Sequence, residues 1–168
     1  MQKGLIVSTG KTDAANTGGK RAELFSLSPE KYLLSVCLWP DTIRLSLLNF
    51  QSQSVDKLEV KMSLPATPDA AMQTIGQLAG RLLSHHTIDP AQLCGVSVST
   101  SGIVDYHTNT LKFNSLSPSW GSDIPVAELL QPYFAPGTPI LVENVAKVVG
   151  RSILHNPEYQ DKRVLAVF

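Results

Sequence analysis

The side chains able to do chemistry in this sequence are few and scattered. Cys37 and Cys94 lie inside apolar runs, LLSVCLW and QLCGVSV. A small thiol belongs in such a run as a core residue, so neither reads as a nucleophile and no disulfide is expected. His85 and His86 stand together where a helix should end, a place where cations suit the dipole, and both read as exposed surface residues. No C-x-x-C or H-E-x-x-H spacing occurs, so local spacing encodes no metal centre. Up to Arg21 the chain carries four basic residues, Lys3, Lys11, Lys20 and Arg21, against a single acidic one, Asp13. In a stretch rich in Gly, Thr and Asn that excess reads as a solvated segment rather than a nucleic-acid interface.

Bulk properties narrow the class. A chain of 168 residues supports one domain with a real core, and a hydrophobic content of 43% with 17% charged residues is that of a globular protein. Fourteen basic and fourteen acidic side chains cancel, so no global field draws the domain to nucleic acid or an anionic membrane. The N-terminus lacks a basic segment followed by a long apolar one, and no apolar run approaches the roughly 18 residues of a membrane span. A reducing cytoplasm is the expected compartment.

The elements that must position these residues follow from periodicity and punctuation. GLIVS is a short β-prone run, and TGKTDAANTGGKR after it has almost nothing able to enter a core, so it reads as a loop or linker. From Tyr32, LLSVCLW is nearly continuous apolar sequence, as expected of a strand covered on both faces. Pro40 and Asp41 break it, and TIRLSLLNF returns as a second strand; a third is expected at Lys57–Leu64. Thr67, Pro68 and Asp69 are start signals for a helix whose Ala71, Ile75, Leu78 and Leu82 form one apolar stripe. LCGVSVS is a buried strand, and IVDY with TLKF forms a small hairpin closed at Thr108 and Asn109. A short helix after Pro125, a strand at Pro139–Val142, a helix at Asn144–Leu154 and a strand start in RVLAVF complete the chain, with no internal repeat. The order β-β-β-α-β-α-β-α fits the ribonuclease-H-like half of sugar kinases and actin, with a generic three-layer α/β domain as a rival. The apolar strand start at Phe168 reads as a sequence cut from something longer.

Three stretches together resemble the ROK family of bacterial repressors, sugar kinases and relatives. TGGKRAELFSLSPEKYLLSVCLWPDTIRLSLLNF is similar to the family's linker and first two strands. GVSVSTSGIVDYHTNTLKF, followed by Trp120, resembles its strand, Pro-Gly-x-Val-Asp turn and hairpin. PILVENVAKVVG resembles the strand and helix start written V-E-N-D-A-N. The resemblance covers roughly residues 4 to 168 and implies an α/β, ribonuclease H-like (actin-like ATPase, sugar kinase) N-terminal lobe, with a mixed five-stranded sheet flanked by helices. GLIVSTG and its polar sequel resemble the wing of a winged-helix domain, which favours the repressor branch, that of NagC/XylR-like regulators. The implied organisation is a wing remnant plus linker over 1–30, the lobe over 31–162 and the start of a second lobe over 163–168.

The resemblance also implies what has been lost. Family kinases cradle phosphate with an Asp followed by Gly-Gly, where backbone N–H groups approach the anion. Here Cys37 matches the Asp, and Trp39 and Pro40 match the glycines. An indole blocks approach and proline has no N–H to give. The family's general base is the Asp of E-N-D, matched here by Val145. Among sugar contacts, Asn144 and Gly102 match, Glu143 is a weaker candidate, and Asp105 matches the turn Asp but is expected to close its hairpin through its own backbone. Leu116 replaces a sugar-facing Asn. The family's zinc site belongs to the second half, so no cofactor or metal is expected here. The implied function is the effector-sensing lobe of a ROK-type transcriptional regulator, catalytically inactive, with a sugar or sugar-phosphate effector. DNA would be contacted only through a domain absent from this chain, and the full-length protein would be a homo-oligomer. The alternatives are a ROK sugar kinase lobe and a non-binding dimerisation scaffold.

Overall fold

The computed structural model describes residues 4–12, 21–61, 63, 67–114 and 117–165. Its centre is a five-stranded sheet built from β3 (Tyr32–Trp39), β4 (Thr42–Asn49), β5 (Ser54–Lys61), β6 (Leu93–Thr100) and β10 (Ile140–Asn144). The strands lie in the order β10-β6-β3-β4-β5. β3, β4 and β5 form an antiparallel meander, whereas β6 and β10 run parallel to β3. Such parallel pairs need crossovers. α1 (Pro68–His85) makes the first, between β5 and β6, and α2 (Val126–Leu130) lies in the second, between β6 and β10. This is an α/β fold with a mixed five-stranded sheet and flanking helices, in the ribonuclease-H-like topology.

Alternation places the core. Leu34, Val36 and Leu38 of β3, Ile43, Leu45 and Leu47 of β4, Val96 and Val98 of β6, and Val142 of β10 are all at most 2% exposed. They face the buried stripe of α1, which includes Met72, Ile75, Leu78 and Leu82. The Thr67 hydroxyl caps α1 by accepting the Ala70 N–H at 3.3 Å, with Pro68 in the first turn, as its start signals require. At Gly76 an added Cβ would lie 2.2 Å from the Tyr133 ring, so this glycine lets the segment after α2 close on α1.

One expectation is corrected on the opposite face. Leu33, Ser35, Cys37 and Trp39 are only half-buried, so β3 is covered on one side, not both. Leu33 and Ser35 instead line an open trough of about 460 Å³ with Leu48, Cys94 and Leu141, the last 62% exposed. Sequence continuity cannot tell a covered face from an apolar face left open. Cys37 and Cys94 are both free thiols.

Other boundaries shift. The supposed linker begins inside a strand: β1 (Ile6–Lys11) pairs antiparallel with β2 (Glu23–Leu27), which pattern did not reveal. Gly10, at φ +123, sits at the register shift of that pair and supplies the positive angle that a bulge exploits. The third meander strand starts earlier than expected, at Ser54, and ends at Lys61, while Leu64 lies outside the described residues. β7 (Ile103–Asp105) and β8 (Thr110–Phe113) form the expected hairpin, and an unforeseen third strand, β9 (Ser122–Ile124), joins β8. Asn109 turns that hairpin at φ +54, and its side-chain oxygen accepts the Val142 N–H of β10 at 2.9 Å. α3 (Val145–Leu154) follows β10 directly. Arg163–Leu165 form no strand, and residues 166–168 lie outside the described residues. Among the described residues, no helix is long and apolar enough to cross a membrane.

Candidate functional site

Register brings the three sequence blocks to one place. Leu38 of β3 pairs with Thr100 of β6, and Thr100 with Asn144 of β10. These three residues close the parallel strands, so the Trp39–Pro40 turn, the Ser101–Gly102 turn and the Asn144–Val145 junction emerge from the same end of the sheet. Adjacent strands lie about 4.8 Å apart, so the row from Leu38 to Asn144 spans about 10 Å. The carboxyl ends of parallel strands are where open α/β sheets bind ligands.

Asn144 joins two of these turns. Its side-chain oxygen accepts the N–H groups of Ala146 at 2.8 Å and Lys147 at 3.3 Å, capping α3, and its amide donates to the Gly102 carbonyl at 2.6 Å. Both oxygen lone pairs and one of two N–H bonds are thus engaged, leaving one N–H to offer elsewhere. Glu143 bends back: Oε1 accepts the Asn144 N–H at 2.8 Å, and its carboxylate lies 3.6 Å from Lys147 Nζ and 3.7 Å from an Arg151 nitrogen. Gly102 sits at φ +101, and a Cβ there would lie 2.1 Å from the Phe113 carbonyl oxygen. Val145, at the head of α3, carries no group able to take a proton.

On the other side of the row, Trp39 pairs with Thr42 across a two-residue loop of Pro40 and Asp41, neither with a positive φ. The loop presents the Asp41 carboxylate, which accepts from the Thr42 hydroxyl at 3.2 Å. Asp105 accepts the His107 N–H at 3.0 Å, the local closure that its place in a tight hairpin suggested. That hydrogen bond, with a further one from the Thr108 hydroxyl, holds its carboxyl below the usual carboxylate range, which makes it a poor proton acceptor. Tyr106 packs on His107 with ring centroids 4.0 Å apart, and Lys147 Nζ stands 5.8 Å from the Tyr106 centroid.

Two buried polar residues, one in the row and one beside it, were missed by sequence reasoning. Asn114 is 1% exposed, and its Oδ1 accepts the Ser101 hydroxyl at 3.0 Å; a polar residue directly after a short strand was the available signal. Thr100 is also 1% exposed, and its hydroxyl has no hydrogen-bond partner among the described residues. An unsatisfied buried hydroxyl costs about 1–3 kcal/mol, and valine matches threonine in shape. Thr100→Val is therefore expected to leave stability unchanged or raise it by about 1 kcal/mol. Urea unfolding checks this, and a loss above about 1 kcal/mol would show that the hydroxyl is in use. Leu116, the position matched to a sugar-facing Asn, lies outside the described residues. Another open cavity, about 560 Å³ and lined by Leu5, Lys31, Phe50, Leu93 and Thr138 among others, is at the opposite end of the sheet, where β3, β6 and β10 begin.

A ROK family transcriptional regulator, a homologue of the E. coli MLC protein, superposes with a TM-score of 0.71 at 12% identity, over 95% of this chain and 39% of its own. A ROK family glucokinase from Streptomyces griseus, in complex with glucose and AMPPNP, gives 0.56 at 18% identity over 73% of this chain and 36% of its own. The fold is that of ROK-family kinases and regulators. A ROK family protein from Streptococcus pneumoniae TIGR4, in complex with sucrose, gives 0.54 at 22% identity over 73% of this chain and 37% of its own. The chain thus spans about two fifths of the length of these ROK proteins. No protein-family model matches the sequence, and no curated protein matches it.

Proposed function

We propose that this chain is the sugar-sensing lobe of a ROK-type protein that does not transfer phosphate. The observation supporting this reading is the Leu38–Thr100–Asn144 row, which brings Trp39, Pro40 and Val145, the residues matched to the family's phosphate cradle and base, to one end of the sheet. An indole, a ring nitrogen without a proton and an isopropyl group cannot perform those tasks. Asp41 adds a negative charge to the turn an anion would approach. Asn144 keeps one N–H for a hydroxyl of a polyol, and Lys147 and Arg151, both exposed and facing the single carboxylate of Glu143, suit an acidic or phosphorylated sugar.

Coverage is what favours the regulator branch. An overlap of 95% cannot be reached without the N-terminal β1–β2 segment, and the regulator supplies it, whereas the glucokinase overlaps 73%. In this reading the effector biases closure between this lobe and a second one. A kinase lobe is the second reading, favoured by the kinases that predominate among the matched structures.

A coupled assay for hexose-dependent ATP turnover, run on the complete polypeptide that carries this lobe, decides between them. The expected rate is indistinguishable from the protein-free background across a hexose panel. Turnover that responds to sugar concentration overturns the proposal. Calorimetry of the same polypeptide against sugars and sugar phosphates is expected to show binding, and silence across the panel would leave a dimerisation scaffold as the better account.

A further inference from the structure

Far from that row, the fold assembles three metal-ligating side chains that the sequence spreads over thirty positions. Asp56 lies on β5, the edge strand farthest from β10. It pairs with Leu47, towards the end of the sheet opposite the Asn144 turn. His85 is the last residue of α1 and His86 its C-cap, where the chain leaves the helix at φ −97 and ψ 7. That departure lets two consecutive rings share one side: their centroids are 4.8 Å apart and their planes 76° apart. His86 Nε2 stands 2.7 Å from Asp56 Oδ2, and His85 Nδ1 stands 3.6 Å from the same oxygen. The donor atoms of all three lie within 4.8 Å of one another. His86 is thus half-buried against a carboxylate rather than simply exposed, as its sequence position suggested.

We propose that Asp56, His85 and His86 form a binding site for a divalent transition-metal ion of the zinc class, clasping the end of α1 to the edge strand β5. Two neutral imidazoles and one carboxylate are a donor set that zinc accepts with a fourth position left to water. At zinc bond lengths of about 2.0–2.2 Å, tetrahedral donors lie roughly 3.3 Å apart. The His86–Asp56 contact must open by about half an ångström to reach that spacing, and the His85 side chain, 76% exposed, is free to swing inward. The carboxylate is already oriented: Oδ1 accepts the Lys57 N–H at 2.7 Å, which leaves Oδ2 towards the rings. The carbonyl end of α1 adds negative potential at the same point. Lys57 supplies its backbone to this arrangement, and the site lies away from the Leu38–Thr100–Asn144 row, so it does not rest on the proposed function.

The test is a zinc titration of the untagged chain at pH 7.5, followed by calorimetry. One equivalent is expected to bind with micromolar or tighter affinity. His85→Ala is expected to weaken it at least tenfold, as are His86→Ala and Asp56→Asn. His86→Ala and Asp56→Asn also break an existing contact between helix and strand, so His85→Ala is the decisive variant: its ring is largely exposed and the fold does not depend on it. Cobalt(II) provides an independent readout, with visible absorption of low-coordinate geometry in the parent chain and its loss in His85→Ala. No saturable binding below about 100 μM zinc overturns the proposal, as does binding unchanged in the triple variant, since other ligands would then be holding the ion.

Discussion

Gly102→Ala is expected to lose about 3–5 kcal/mol of folding stability, enough to leave the lobe marginally folded. Two independent costs add at this position. The backbone angle of +101° lies in territory that L-residues pay about 1–3 kcal/mol to enter. The new methyl would also stand 2.1 Å from the Phe113 carbonyl oxygen and 2.9 Å from the Asn114 Cα. Those neighbours are backbone at the end of β8, so no side-chain rotation relieves the overlap. Urea unfolding followed by circular dichroism measures the effect, as a lower midpoint with an unchanged slope. A variant within about 1 kcal/mol of the parent would mean that the β6–β7 turn is far more pliant than its packing indicates.

The second large effect is at Asn144. Asn144→Ala removes the cap of α3, about 1 kcal/mol, together with the bond to the Gly102 carbonyl, about another 1 kcal/mol, and strands that carbonyl in a half-buried setting. A total loss of roughly 2–3 kcal/mol is expected, read as a fall in Tm of several degrees. Asn144→Asp separates the two contributions. It keeps an oxygen for the cap, with a charge the helix N-terminus favours, and loses only the donor to Gly102. It should therefore fall between the parent and the alanine variant. Equal losses in the two variants would assign the whole effect to the Gly102 bond and none to the cap.

These two residues show what was legible in the sequence and what was not. Both were singled out because they match positions beside a sugar in ROK proteins, and the structure does place them together. It also gives each a structural occupation: Gly102 makes room for β8, and Asn144 caps α3 while holding Gly102, with one N–H to spare. A match in sequence therefore cannot by itself separate ligand contact from architecture. The helix α1, the β3–β4 hairpin and the β7–β8 hairpin were readable because each carries its own punctuation, in Thr67–Pro68, Pro40–Asp41 and Thr108–Asn109. The start of β1 was readable in GLIVS, but its continuation to Lys11, β2 and β9 were not, because short strands are fixed by the partner that accepts their hydrogen bonds and not by local pattern. The Asp56–His86 contact was invisible for the same reason, since thirty residues and a crossover separate its members.

The Asn109 amide seated on Val142 has a bearing on solubility. β10 and β5 are the two rims of the central sheet, and a rim with free N–H groups invites a stray strand from another molecule. A chain of zero formal charge has no long-range repulsion to keep copies apart. The protection is instead local and differs between the rims: along β5 it is the run of Lys57, Glu59 and Lys61, whereas on β10 a single side chain from the neighbouring hairpin occupies a donor that an incoming strand would need.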